Sequence, residues 1–371
     1  MKKFIYSVLI FSTAALWCFS LSSCKKQEES NKKEKIRLEF YNRKRESYAA
    51  LEKIINKFNK SQDEIEVFQN MNTNADTALR IAAVEGNFPD IVEVGGLQSV
   101  ETFEYVMGNC LVPLDEMDCV KQIKEEYLPY LQYNSHIYQM PLAMSFEGIY
   151  VNRELFQEEG IGLPETYEEL CQVSEEILRR GKIPFLFADK EGWTIHQNWE
   201  CIEGATRGNF ESFWTDVAEG RTSFTEDVIC RGSLEKLIDL HKYTTEEYSD
   251  LNYNEALAKF AEGEAFMMIQ GSWAYRNIMD MNPEMNLELI PFPVDEGTQQ
   301  LITMWIDSSI GISSDCKYRE EAEEFIEFLM QPENLQMYLN EESSLSSLKN
   351  SQNRAKYAPR VHELLESGHA V

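Results

Sequence analysis

Hydrophobic positions after residue 35 switch repeatedly between the alternation typical of strands and the spacing of three and four typical of helices. Ile36, Leu38 and Phe40 alternate with polar residues and predict a strand over 36–41. Apolar residues within 48–58 recur at helical spacing and predict the first helix. Further strands are predicted from Ile65 and over 91–94, and further helices over 75–86 and 97–107. This alternation predicts an α/β lobe built on a mainly parallel sheet.

The rest of the chain repeats the alternation. Thr166 and Glu169 have the spacing of a capping box, at the start of a helix that runs to about Arg180 and is closed by Gly181. Strands are also predicted over 148–151, 183–187, 265–269, 287–290 and 310–312, and helices over 153–159, 254–262 and 317–330. In the last helix, Ala322, Phe325, Ile326 and Leu329 are expected to face inward. A length of 371 residues favours two such lobes over one compact domain.

The N-terminus has the pattern of an export signal. Two lysines precede an apolar stretch from Phe4 to Leu21, and Leu21-Ser22-Ser23-Cys24 resembles a bacterial lipobox. We therefore expect a lipoprotein signal peptide over 1–23 and a lipidated Cys24, followed by a polar tether over 24–35. This predicts an outward-facing protein anchored to the cell membrane by lipid. An uncleaved anchor helix is the alternative.

Charge and cysteine content narrow the possible partners. The formal net charge is −28, which argues against nucleic-acid binding. Outside the first 21 residues no apolar run reaches 18, which excludes a protein with several membrane spans. The six cysteines of the body lack a CxxC pair and do not support zinc binding. They are Cys110, Cys119, Cys171, Cys201, Cys230 and Cys316, and a disulfide between the first two is left open.

Motifs for catalysis are missing from the sequence. It contains no HExxH, GxSxG, P-loop or GxGxxG pattern, and its five histidines are dispersed. The 63 acidic residues make a carboxylate pair somewhere nearly certain by chance, so such pairs decide nothing. We expect no enzyme, no cofactor and no metal site.

Four groups of segments carry a family resemblance. They are 138–156 (YQMPLAMSFEGIYVNRELF) with 160–161 and 164–170, then 260–273 (FAEGEAFMMIQGSW), then 311–313 with 321–325 and 332–333, and Pro89-Asp90-Ile91. Taken in their order along the chain, beginning with Pro89-Asp90-Ile91, they resemble the extracellular solute-binding proteins of sugar ABC transporters, the family that includes maltose-binding protein. The similarity covers about 36–348.

The resemblance implies an α/β, two-lobed periplasmic-binding-protein-like fold with a hinge and an interlobe cleft. Lobe one is expected over 36–146 with about 301–345, and lobe two over 147–300 with about 346–371. The hinge crossings are expected near 146–148 and 293–301. The resemblance also implies several helices after Leu348, whereas only one helical pattern, 355–366, remains; a truncated C-terminus is left open.

The implied function is that of a monomeric substrate-binding lipoprotein of an ABC importer. It would close on a mono- or oligosaccharide and deliver it to the membrane permease subunits. A binder of a non-sugar solute, such as a small cation or a polyamine, is the alternative within the class. A secreted carbohydrate-active enzyme and a scaffold lipoprotein without ligand are the alternatives outside it.

A sugar site needs flat aromatic rings for the C–H faces of the ligand and planar polar groups for its hydroxyls. Trp273 follows a strand and Gly271-Ser272, where α/β clefts bind ligands, and core packing is its alternative. Trp199 and Trp214 are expected in the core. The candidate ligand-binding residues are Trp273, Trp305, Asp307, Glu147, Trp193, His196, Asn42, Arg43 and Glu46.

Overall fold

A computed structural model describes residues 35–44, 47–72, 75–208, 210–351 and 355–370. The expected signal peptide, Cys24, nearly all of the tether and Glu46 lie outside the described residues. The strands are β1 (Ile36–Asn42), β2 (Ile65–Met71), β3 (Ile91–Val94), β4 (Gln132–Tyr133), β5 (His136–Ile137), β6 (Met140–Asn152), β7 (Ile183–Phe185), β8 (Ala265–Gly271), β9 (Leu287–Ile290) and β10 (Met304–Ile312).

Thirteen α-helices are found in these described ranges. They are α1 (Tyr48–Ser61), α2 (Ala75–Glu85), α3 (Val100–Met107), α4 (Arg153–Glu159), α5 (Tyr167–Arg179), α6 (Gly192–Gly204), α7 (Phe210–Ala218), α8 (Val228–Leu240), α9 (Tyr253–Ala261), α10 (Ala274–Met281), α11 (Arg319–Leu329), α12 (Pro332–Glu342) and α13 (Pro359–Glu366). None of the described helices is both long and apolar enough to cross a membrane.

One sheet runs through both halves of the chain, in the order β2-β1-β3-β10-β6-β8-β7, with β9 also paired to β6. β1 pairs in parallel with β2 and β3, and β7 in parallel with β8. β10 is antiparallel to β3 and β6, and β6 is antiparallel to β8 and β9. The three strands from which a mainly parallel sheet was predicted are parallel as expected, since β1 pairs in parallel with both β2 and β3. The sheet as a whole is mixed, because β6 and β10 run antiparallel to their neighbours. The direction of a strand in the sheet depends on the path of the chain between strands, and hydrophobic periodicity carries no information about that path.

Helices cover both faces of this sheet. Leu51, Ile54 and Phe58 of α1 pack toward the same core as Phe325 of α11, and the rings of Phe58 and Phe325 meet edge-on at 5.2 Å. The four residues of α11 predicted to face inward are all buried, which confirms that prediction. A second core contains Ile149 and Val151 of β6 and side chains of α5, α6 and α8.

The C-terminal segment packs on the second half of the sheet. The backbone N–H of Leu289 donates to the Tyr357 carbonyl at 2.8 Å, and the Tyr357 ring stacks on Tyr275 at 3.8 Å. The backbone N–H of Ile302 donates to the His369 carbonyl at 2.9 Å. The single helix expected in 355–366 is present as α13. The lobe boundaries given above stay predictions.

The structure also tests the predicted capping box of α5 and the pairing of the cysteines. The hydroxyl of Thr166 caps α5 as predicted, but the Glu169 carboxylate accepts from the N–H of Glu165 and not from that of Thr166. The capping box is thus only half formed. All six body cysteines, including Cys110 and Cys119, are free thiols in the described structure.

Candidate functional site

Strand β6 changes its neighbours at one point in its middle. Its first half pairs with β10, where Met304 lies opposite Phe146, and from Glu147 onward it pairs with β8 and β9. Gly148 stands at this point, and a Cβ atom there would lie 2.3 Å from the Ile290 carbonyl oxygen. Glycine therefore allows three strands to meet at the junction between the two halves of the sheet.

Four residues around this junction share one face of the sheet. Residues two apart in a strand point to the same face, as do residues directly opposite each other in an antiparallel pair. Ser145 and Glu147 of β6 are two apart, and Trp305 and Gly271 lie opposite them in β10 and β8. Residues distant in sequence thus meet on one surface.

Two indole rings meet beside this surface. The Trp273 ring, directly before α10, occupies the space in front of Gly271, where an added Cβ atom would be within 2.4 Å of three ring carbons. The centroids of Trp273 and Trp305 are 5.5 Å apart, with the rings at 67°. Both tryptophans are partly buried. The structure brings the two predicted stacking residues together, and Gly271 makes room for one of them.

Asp307 joins the same surface through Ser145, whose hydroxyl donates to its carboxylate at 2.9 Å. Lys44 forms ion pairs with Asp307 and, at 3.2 Å, with Glu342, and all three side chains are at most 14% exposed. Burial alone would raise the pKa of Asp307, but the charges of Lys44 and Arg43 outweigh it and lower that pKa. Asp307 is therefore an ionised carboxylate whose charge Lys44 neutralises. We call the surface formed by Ser145, Glu147, Trp273, Trp305 and Asp307 the junction face.

Glu147 is the other carboxyl of the junction face and is only 1% exposed. Within the part of the chain that the structure describes, neither its oxygens nor the amide atoms of Gln197 on α6 make a hydrogen bond of ordinary geometry. Burial raises the pKa of Glu147 well above its usual value, and the negative charges of Glu200 and Asp307 raise it further. The nearby Gln197 amide lowers it only in part. Glu147 therefore holds its proton more tightly than an exposed glutamate does.

This environment makes the stability of the protein depend on pH. Because the pKa of Glu147 is higher in the folded than in the unfolded chain, the folded state binds more protons above the usual carboxyl pKa, and its contribution to stability falls as pH rises. We expect Glu147→Gln to unfold at a higher temperature than the wild type, by a margin that grows between about pH 4 and about pH 8. Thermal unfolding of both proteins across this range measures the margin. A difference in unfolding temperature that does not change with pH would contradict a raised pKa of Glu147 in the folded protein.

The loop after β1 holds two of the predicted residues. The Asn42 side chain is fully buried: its amide donates to Gln69 at 2.7 Å and its oxygen accepts from the Lys44 backbone at 2.7 Å. Arg43 donates through its guanidinium to the Asp307 carbonyl at 3.0 Å and through its backbone to Glu93 at 3.0 Å. Asn42 thus shapes the loop that carries Arg43 and Lys44 toward the junction face. Ligand contact by either predicted residue stays a prediction.

A cavity of about 20 Å³ lies beside Arg43, at the carboxyl ends of β1 and β3. The Nε atom of Arg43 and the hydroxyl of Tyr105 are buried there and find no hydrogen-bond partner among the described residues. The space suits about one water molecule or one ligand hydroxyl. Its wall also includes Asp76, Gly95, Ser99 and Thr102.

Helix α6 carries the other two predicted contacts. Trp193 is 44% exposed and meets the Tyr253 ring edge-on at 5.0 Å, and the His196 ring lies 3.4 Å from the Glu200 carboxylate. Trp199 is 7% exposed, as expected of a core residue. Trp214 is 44% exposed, so its assignment to the core is wrong. It lies on α7, and that helix buries Phe213 while its next residue faces outward.

The sequence pattern missed three polar residues at the junction. Lys44, Ser145 and Gln197 contact or face the predicted residues. Ser145 lies within the segment 138–156 that carries the family resemblance but was not singled out there, and Lys44 and Gln197 lie in none of the resembling segments.

The arrangement offers the ring faces of Trp273 and Trp305, a buried carboxyl with a raised pKa (Glu147) and a carboxylate neutralised by Lys44 (Asp307). Within the described ranges, no group of three or more His, Cys, Asp or Glu residues is placed to hold a metal ion.

The family model of the bacterial extracellular solute-binding proteins matches residues 53–362. The chain therefore belongs to this family, whose members bind solutes.

Sequence and fold relatives agree with this assignment. The chain is similar to the multiple sugar-binding protein of Streptococcus mutans, at 26% identity over 94% of this chain and 84% of that protein. Its fold is similar to RafE in complex with raffinose, with a TM-score of 0.80 at 24% identity, covering 90% of this chain and 88% of RafE. It is also similar to a Bacillus licheniformis sugar transporter protein in complex with stachyose, with a TM-score of 0.73 at 19% identity, covering 89% and 87%. These likenesses confirm the expected two-lobed α/β fold.

Proposed function

We propose that this protein is the substrate-binding component of an ABC importer and captures a saccharide between its two lobes. The junction face carries the proposal, because it presents two indole rings beside hydroxyl, carboxyl and carboxylate groups. A sugar offers apolar C–H faces to such rings and hydroxyls to such polar groups. Relatives named for sugar, raffinose and stachyose binding support it.

The charges of the junction face favour a neutral ligand over a cation. Lys44 neutralises Asp307, and burial keeps the pKa of Glu147 raised. The pKa of Glu200 beside it is also raised, by burial. A cation or polyamine would need ionised carboxylates without partners, and these described groups do not supply them. The acidic charge of the whole chain therefore does not imply a cationic ligand.

Capture and delivery follow the family pattern in this proposal. Lobe one, 36–146 with about 301–345, and lobe two, 147–300 with about 346–371, close about the middle of β6. A ligand shifts this closure only by its difference in affinity for the open and closed states. Lipidated Cys24 anchors the monomeric protein to the outer side of the cell membrane, where the permease subunits receive the ligand.

Thermal unfolding of residues 25–371 in the presence of single solutes tests the proposal. The panel contains the saccharides from glucose to maltotetraose, sucrose, raffinose, stachyose, chitin oligosaccharides, putrescine, spermidine and Mg²⁺. A ligand at about 100 times its Kd stabilises the folded state by about 2.7 kcal/mol, which raises the Tm by several degrees. We expect such a rise with one saccharide series only. A rise with the polyamines or Mg²⁺ alone would show that the site binds cations, and hydrolysis of a saccharide would show an enzyme.

A further inference from the structure

The turn that follows α12 buries a serine hydroxyl. Helix α12 ends at Glu342, and Ser343 has a left-handed backbone with φ of 52°. Residues other than glycine keep this conformation only where the surrounding structure holds it. The next residue, Ser344, is 1% exposed, and its hydroxyl lies 3.0 Å from the Glu342 carbonyl oxygen. The chain thus places this hydroxyl in the interior at a cost in backbone conformation.

The Ser344 hydroxyl lies between two serines at the junction face. Its oxygen is 3.2 Å from that of Ser145 and 3.4 Å from that of Ser272, which directly precedes Trp273. Each hydroxyl has one proton to donate, and Ser145 donates its proton to Asp307 at 2.9 Å. The order of donors that satisfies these contacts therefore runs from Ser272 through Ser344 to Ser145. All three serines are at most 1% exposed, so water does not compete for these contacts.

Tyr357 of the C-terminal segment holds the same turn. Its hydroxyl donates to the Ser343 carbonyl at 2.7 Å and lies 3.5 Å from the Ser272 carbonyl oxygen. Its ring stacks on that of Tyr275 in α10 at 3.8 Å and 11°. Tyr357 therefore contacts both the turn after α12 and the first turn of the helix that follows Trp273.

The backbone at Ser272 determines where the Trp273 side chain begins. The Ser272 N–H donates to the Phe146 carbonyl at 2.9 Å, and the Ser272 carbonyl accepts from the Tyr275 N–H at 3.2 Å. The peptide unit between Ser272 and Trp273 is planar, so a displacement of the Ser272 carbonyl also reorients the backbone of Trp273. Because the indole is a large rigid group, a small rotation at its Cα atom displaces its ring face.

We propose that Ser344 and Tyr357 are positioning residues for saccharide binding, which hold Ser272 and thereby keep the Trp273 indole in the orientation that stacks on the ligand. The inference rests on the proposed function. It gives the turn after α12 and the C-terminal segment a role in affinity as well as in folding. Neither residue has to contact the saccharide for this role.

Calorimetric titration measures the effect on affinity, with maltotetraose, sucrose, raffinose, stachyose and the tetramer of N-acetylglucosamine as probes. Ser344→Ala and Tyr357→Phe are each expected to weaken binding of the probe that the wild type binds by about fivefold. Ser347→Ala and Tyr167→Phe are the matched controls and should bind as the wild type does. Ser347 is fully buried in the same segment and donates to the Pro141 carbonyl at 2.8 Å, and the Tyr167 hydroxyl on α5 contacts a backbone carbonyl at 3.5 Å.

Fluorine NMR of the protein labelled with 5-fluorotryptophan reports on the indole directly, without ligand. The Trp273 signal is assigned by its loss in Trp273→Phe. In Ser344→Ala and Tyr357→Phe this signal is expected to shift or broaden, while the signals of Trp199 and Trp214 on α6 and α7 stay in place. A general loss of stability would not move the Trp273 signal alone.

A double variant tests whether Ser344 acts through Ser272. Ser272→Ala removes the same contact between the two hydroxyls, so it should weaken binding about as much as Ser344→Ala. The double variant should lose little more than either single variant, because the contact is already absent in each. Losses that multiply in the double variant would contradict the proposed link.

The outcomes separate this inference from the proposed function. Wild-type affinity and an unmoved Trp273 signal in both Ser344→Ala and Tyr357→Phe would overturn the positioning role and leave saccharide binding standing. A moved signal without a loss of affinity, or a loss of affinity without a moved signal, would also overturn it. An equal loss in the control variants would do the same, because any missing hydroxyl would then weaken binding. A wild type that binds none of the probes would overturn both proposals.

Discussion

Replacing Lys44 with methionine is expected to lower the free energy of unfolding by about 3 to 5 kcal/mol. Lys44 is the cation between Asp307 and Glu342, and the three side chains are 14%, 13% and 0% exposed. Methionine fills similar space but leaves two buried carboxylates close together without the charge that neutralises them. Urea denaturation at pH 7, followed by tryptophan fluorescence, measures the loss.

Lys53→Met provides the control for this change. Lys53 pairs with Glu341 at 3.4 Å, but its side chain is 62% exposed, so its removal should cost no more than about 0.5 kcal/mol. Adding Glu342→Gln to Lys44→Met should recover part of the stability, because it removes one of the two stranded charges. A loss below about 1 kcal/mol for Lys44→Met would contradict the view that this ion triad is desolvated.

The ion pairs of Lys44 could not be predicted from the sequence. Its two partners lie 263 and 298 residues further along the chain, and no local pattern connects them. Trp273 follows an apolar strand, and Trp305 and Asp307 precede one, which is a local property; the family resemblance then implied that these positions lie at the cleft. That they share one surface depends on the register between β6, β8 and β10, which only the folded chain displays.

Among the helices and strands, too, those with a local sequence signal were predicted and those without one were not. The bounds of β3, α4 and β9 follow from apolar runs and flanking glycine or proline, and the structure agrees with them. Helix α6 was not predicted, because it buries Gln197, Asn198 and Glu203 while it exposes Trp193 and Ile195. A helix whose polar residues face inward does not show the usual amphipathic period.

Strand β6 illustrates a second limit. Only 148–151 was predicted, although the strand spans Met140–Asn152 and all 13 of its residues are buried. A strand buried on both faces lacks the alternation that identifies most strands. Strand β6 is also the strand that pairs with both halves of the sheet. The junction face therefore lies on a strand whose first half the hydrophobic pattern did not predict.

Replacing Trp273 with alanine is expected to weaken saccharide binding by roughly 30-fold or more, which corresponds to about 2 kcal/mol. The Trp273 ring lies in front of Gly271 and meets Trp305 edge-on, so its removal takes away a stacking surface and leaves Trp305 without its neighbour. Isothermal titration with the saccharide that gives the largest rise in Tm measures the change. Trp273→Phe should retain most of the affinity, because it keeps an aromatic face.

Gly271→Ala tests the same geometry without removing the indole. The added Cβ atom would lie 2.0 to 2.4 Å from three carbons of the Trp273 ring, which must then move away from Gly271. We expect a loss of affinity comparable with that of Trp273→Ala. Gly162→Ala is the control, since a Cβ atom there meets nothing within 4 Å. If Trp273→Ala and Gly271→Ala both bound the saccharide as tightly as the wild type, Trp273 would belong to the core and the ligand would lie elsewhere.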